Sequence, residues 1–217
     1  MRASTVTLIT APAAEPFTVA EVKAYPRIDP LITDDDTQIG VMLQAAREYV
    51  EKHTRRALIT QTWDVSFPAF PSGSTTRRIV YGAAFDEQRA PRSSRMEMPL
   101  PPLQSVTHVK YYDTSGVQQT WAAASYVVHV EGGHGFVELA TGYDWPDVQS
   151  DRSNPITARI VCGYGAASAV PARIKQAIWI LVGDAYSFRE SEITGTITSK
   201  VESQAVDRLL SPYLVRG

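Results

Sequence analysis

The sequence predicts an α+β protein: a small α-helical bundle with an inserted antiparallel β domain and an extended C-terminal tail. Three observations point there. Apolar residues recur at helical spacing near the start of the chain and again after Pro171, and between them lies a block of short Val-, Thr- and aromatic-rich runs broken by Pro and Gly. A Ser/Thr/Gly-rich stretch then leads into a last short amphipathic segment. The expected division is 1–58 and 163–190 for the helical core, 59–162 for the β insertion, and 191–217 for a linker and C-terminal docking tail.

The first helix signal is Thr18-Val19-Ala20-Glu21, a capping box in which a hydroxyl and a carboxylate reciprocally satisfy free backbone donors, flanked by Phe17 and Val22 as a hydrophobic staple. Pro26 keeps that helix short, and Arg27-Ile28-Asp29-Pro30 reads as a turn. A second helix follows Thr33-Asp34-Asp35-Asp36, whose acids suit the positive end of a helix dipole. It runs to about Thr54. Ile39, Met42, Leu43, Ala46, Tyr49, Val50 and His53 form its apolar stripe, while Gln44, Arg47, Glu48, Glu51 and Lys52 face away.

Within the β block the expected strands are 59–67, 77–81, 95–98, 106–112, 126–130, 135–139 and 156–162. Asp113-Thr114-Ser115-Gly116 and Gly132-Gly133 read as hairpin turns, because glycine adopts positive φ without steric cost. The stretch 70–91 reads as a long loop.

A third helix starts at Pro171, a favourable first-turn residue, and continues to about Glu190. Ile174, Ala177, Ile178, Leu181, Ala185 and Phe188 make one stripe, and Trp179, Val182 and Tyr186 make a second. A helix apolar on two sides must be covered on both. The expectation is that its own helices cover one side and that the β insertion or a neighbouring copy covers the other. A flexible linker over 191–203 leads to a helix over 204–210 and the tail 211–217.

With 217 residues, 44% hydrophobic and 20% charged, the composition is that of a folded globular chain. A net charge of -2 and a pI near 6.1 argue against a protein built to grip phosphates. Cys162 is the single cysteine, which excludes an internal disulfide and a cysteine-only metal site and suits an intracellular assembly environment. Neither a classical signal peptide nor a membrane span is expected.

The sequence offers no home for catalysis, and neither cofactor nor metal is expected. Asp34, Asp35 and Asp36 lack the alternating ligands of a calcium loop and are read as capping acids. His53, His108, His129 and His134 show no metal-ligand spacing. Gly132-Gly133-His134-Gly135 lies between strands, and Gly163-Tyr164-Gly165 lacks the lysine and third glycine of phosphate-binding loops. No GxSxG elbow is present, and Cys162 sits in an apolar strand that would poorly stabilise a thiolate. A hydrolase using Asp144, His134 and Cys162 is the weakest reading. Trp145-Pro146 without a second aromatic in register is a poor sugar platform.

One pattern runs through the whole chain. It comprises Phe17 to Lys23 with Arg27-Ile28-Asp29, Ala45 to Glu51 through Arg56 to Trp63, Pro99-Leu100-Pro101-Pro102-Leu103 to Val106, and Tyr111-Tyr112-Asp113 with Gly116. Gly163-Tyr164-Gly165 followed by Val170 to Ile178, and Tyr186 with Arg189-Glu190, complete it. In this order the segments resemble the head-tail connector, or adaptor, family of tailed phages and gene transfer agents. Pro26 departs from the pattern where an apolar helix-former is expected.

The resemblance implies a structural virion protein and not an enzyme. It implies a homo-oligomeric ring, expected to be dodecameric, between the portal and a stopper or tail-completion protein. Double-stranded DNA would pass through the channel without specific binding during packaging and ejection, no membrane would be involved, and assembly would take place in the host cytoplasm. The expected portal-docking residues are Val206, Arg208, Leu209, Leu210, Tyr213, Leu214 and Arg216. The expected contacts between copies are Arg47, Arg55, Arg56, Trp179, Val182 and Tyr186. A virion module whose β block recognises a host glycan or protein is the alternative.

Overall fold

The computed structural model describes residues 3, 5–24, 29, 31, 33–71, 95–187 and 201–215, with only the backbone described at 201–203. The turn at 27–30, the strand at 77–81, most of the stretch 70–91, and Pro26, Phe188, Arg189, Glu190 and Arg216 lie wholly or largely outside the described residues, as does the linker up to residue 200. The chain forms two compact units, one from 1–11 and 61–162, the other from 12–60 and 163–217.

The first unit is β. One sheet has the order β1-β2-β8-β4-β5, from Thr5–Thr10, Gln61–Phe67, Ile156–Cys162, Leu103–Tyr112 and Gln118–Trp121, with every pairing antiparallel. The other has the order β3-β7-β6, from Arg95–Met98, His134–Leu139 and Tyr126–Glu131. Alternation decides which face is inside: Ile156, Ala158, Ile160 and Cys162 are buried, and Thr157, Arg159 and Val161 between them are partly exposed. The β4–β5 turn forms because Asp113 accepts the N–H groups of Ser115 and Val117 at 3.0 and 2.9 Å, with Gly116 at φ +79°. Gly132 and Gly133, both at positive φ, turn β6 into β7.

Two strands, β1 and β5, are additions to the expected set. β1 carries TVTLIT, whose residues are β-branched apart from Leu8, and Ala11-Pro12 follows it directly. β5, QQTW, is short and polar, and pairing with β4 defines it. Residues 1–11 accordingly belong to the β unit and not to the helical core expected for them.

The second unit is helical, with α1 at Val19–Lys23, α2 at Asp36–Thr54, α3 at Ala172–Ser187 and α4 at Val201–Leu210. The Thr18–Glu21 capping box is present in both directions. The acids before α2 are engaged elsewhere: Asp35 accepts from the Tyr186 hydroxyl at 2.8 Å, and Asp36 pairs with the Lys23 ammonium. α2 ends at Arg55, in the left-handed region at φ 54°. The core joins Phe17, Val22, Ile39, Leu43, Val50, Leu58, Ile174, Ile178, Val182, Val206 and Leu210. Tyr49 and His53, expected in the α2 stripe, are exposed and stacked on each other, and α4 starts three residues before the expected helix. Among the described residues no helix is long and apolar enough to cross a membrane.

Candidate interaction surfaces

Most of the expected contact residues turn out to be held by their own chain. Arg47 was expected to face outward and to meet a neighbour, but it is 6% exposed. Its guanidinium donates to Glu15 at 2.8 Å and to Glu51 at 2.6 Å, and Glu51 also accepts the Leu58 N–H at 2.8 Å. Burial disfavours the cation, but the bonds it donates to Glu15 and Glu51 and their negative charges outweigh this and raise the pKa of Arg47. The cluster pins the start of the unit and the exit from α2.

Val182 is 1% exposed within the helical core. Trp179 is partly buried and stacks on Phe17, and Tyr186 is tied to Asp35. On the second apolar side of α3, Val182 is thus buried in the helical core, while Trp179 and Tyr186 are packed against it and stay partly exposed. Phe17, placed just before α1, reaches α3 across 162 positions. Arg56 donates to the Tyr213 carbonyl at 2.6 Å, which leaves Arg55 as the exposed member of the expected lateral set.

The expected docking residues of the tail also pack on their own chain in part. Val206 and Leu210 are 3% and 0% exposed, and Leu209 and Tyr213 pack partly against the same core. An amphipathic helix of this kind satisfies its apolar face at home. Val215 donates its N–H to the Thr54 carbonyl at 3.2 Å, so the chain as far as 215 lies along the helical unit. Arg208 and Leu214 are exposed.

In the β unit, polar residues line one face of the five-stranded sheet. Asp64, Arg159 and His108 stand in one cross-strand row, and Arg159 holds Asp64 with two bonds of 2.8 Å. That pairing holds the Asp64 carboxyl below the usual aspartate range. Burial, with Lys110 and Arg159 nearby, lowers His108 against the pull of Asp64. Trp145 does have aromatic company, with Phe70 at 5.1 Å and Trp121 at 5.1 Å, but Phe70 and Trp121 are buried, so the rings serve as core. Cys162 is buried, which keeps the one thiol from solvent, and Asp144 is exposed. Among the described residues no group of three His, Cys, Asp or Glu is placed to hold a metal.

Together these features define an α+β chain in which a two-sheet β unit is inserted in a four-helix unit. The same fold is found in solved structures of gene transfer agent particles. A chain in the neck of an empty particle computed with C6 symmetry matches with a TM-score of 0.71 and 21% identity, over 98% of this chain and 97% of that one. A chain in the virion of a native particle matches at 0.69 and 20%, and one in the neck of a native particle computed with C12 symmetry at 0.68 and 19%, each with the same coverage. No protein-family model matches the chain, and no curated protein matches it significantly.

Proposed function

We propose that this protein is a structural subunit of the neck of a tailed-phage-like particle, an adaptor whose copies form a ring between the portal and the stopper or tail. One observation carries the reading: the fold agrees over almost the whole length with chains of gene transfer agent necks, both units included. The role is mechanical. The ring frames a channel for double-stranded DNA, and a chain of net charge -2 does not hold phosphates tightly enough to resist their passage.

Burial narrows the surfaces assigned to this role. Leu214 and Arg208, with the end of the chain beyond them, are the docking elements toward the portal, and Arg55 contributes to the contact between copies. Electron microscopy of particles carrying a tagged copy tests the assignment. Density for the fold in a cyclic ring at the head-tail junction is the expected result, and particles with a complete neck from which the chain is missing would refute it.

A further inference from the structure

The β unit has four open strand edges among the described residues, and they are guarded unequally. An edge presents unpaired backbone N–H and C=O groups, which soluble proteins protect with charge, proline or short length. β3 is four residues long and carries Arg95 and Glu97, β6 carries His129 and Glu131, and β5 is again four residues. β1 has no such protection beyond one register shift between Leu8 and Thr10. Its six residues contain no charge and no proline, pair among the described residues only with β2, and are all exposed, with Val6, Leu8 and Ile9 at 37%, 43% and 45%. A strand of this composition is one that accepts another strand.

Charge and direction select the occupant. A charged side chain brought beside uncharged Thr, Val and Leu would lose hydration without gaining a partner, which disfavours the β3 and β6 edges of a second copy. β5 is uncharged. Because the four pairings across the five-stranded sheet are all antiparallel, β1 and β5 run in the same direction. Joining β1 of one copy to β5 of the next is then a parallel continuation of one sheet. It uses unlike edges, so it repeats by rotation and can close into a ring where a two-fold contact would stop at a dimer.

The faces also agree. Val6, Val65, Ala158, Val109 and Trp121 stand in one row across the sheet, so Val6 and Trp121 share a face. Three registers engage all four β5 residues, and the one that keeps Val6 on the Trp121 face and avoids the register shift between Leu8 and Thr10 sets Thr5 to Leu8 beside Gln118 to Trp121. It places Leu8 next to the Trp121 of the neighbouring copy and Thr7 next to its Thr120. We infer that β1 of each copy adds to the β5 edge of a second copy and extends the five-stranded sheet from subunit to subunit. This rests on the ring reading for its cyclic repetition.

Cysteine trapping tests it. Thr7 and Thr120 are exposed and Cys162 is buried, so the double variant Thr7→Cys/Thr120→Cys offers two accessible thiols. Under mild oxidation with copper–phenanthroline the purified double variant should form a reductant-sensitive ladder of covalent oligomers, each single variant should form none, and Leu8→Lys in the double background should abolish it without altering the melting curve. No ladder from a double variant whose thiols both react with maleimide overturns the inference, and so does a dimer from Thr7→Cys alone. Particles that hold the chain in a ring while no ladder forms would retain the neck role and remove this joint. A ladder from a chain missing from the neck would do the opposite.

Discussion

The indole of Trp179 stacks on the ring of Phe17, with centroids 4.7 Å apart and planes 16° from parallel. Phe17 precedes α1 and is 7% exposed, and Lys175 lies 5.3 Å above the same ring. The stack fixes the entry to α1 against α3. Phe17→Ala should therefore destabilise the helical unit by about 3 kcal/mol, as truncation of a buried aromatic generally does. Urea unfolding followed by far-UV circular dichroism measures this, and a loss below about 1 kcal/mol would show that the stack is peripheral.

The helical end of the chain separates packing from docking. Leu210 is fully buried and Leu214 is 40% exposed. Leu210→Ala should cost about 2–5 kcal/mol, whereas Leu214→Ala should stay within about 0.5 kcal/mol of the parent. If the chain end docks on the portal, Leu214→Ala should weaken co-purification with portal-containing particles while the melting temperature holds. Equal destabilisation by both substitutions would make Leu214 a packing residue.

What the sequence made legible was whatever is encoded locally. The Thr18–Glu21 box, the α2 period and the Gly132-Gly133 turn each depend on residues within one or two turns of each other, and each appears in the structure. The site residues were harder because their environments are made by distant segments. Arg47 looks like a surface residue until Glu15, 32 positions earlier, closes on it, and on the second side of α3 Val182 is buried and Trp179 stacks on Phe17, 162 positions before it. β5 was hidden for a related reason, since its polar residues become a strand only through β4.

Gly163 is a backbone requirement at the junction after β8. It sits at φ +119°, and a Cβ there would run into the carbonyl of Ile59, part of the segment where the Tyr164 N–H bonds the Leu58 carbonyl at 3.0 Å. Gly163→Ala combines an unfavourable φ with a backbone clash, so it should destabilise by more than about 1 kcal/mol. Gly142, also at positive φ but with open space around its Cβ position, is the control and should be milder. Thermal melts of the two variants decide the comparison.

The sheet row predicts how the protein responds to acid. The bonds from Arg159 depress the Asp64 pKa in the folded state, so the unfolded chain takes up a proton first as pH falls. Stability from this pair is complete above the ordinary aspartate value of 3.8 and is lost as pH falls through the lower folded value. His108 has the same sign in a different window: burial and its cationic neighbours lower its pKa, so unfolding becomes favoured as pH drops below the ordinary 6.5. His108→Gln should therefore flatten the stability profile on the acidic side of 6.5, and Asp64→Asn should flatten the steeper fall below 3.8. Denaturant titrations at a series of pH values resolve the two. A profile for His108→Gln that keeps the parent's slope below 6.5 would mean that the imidazole is protonated as readily in the folded sheet as in the open chain.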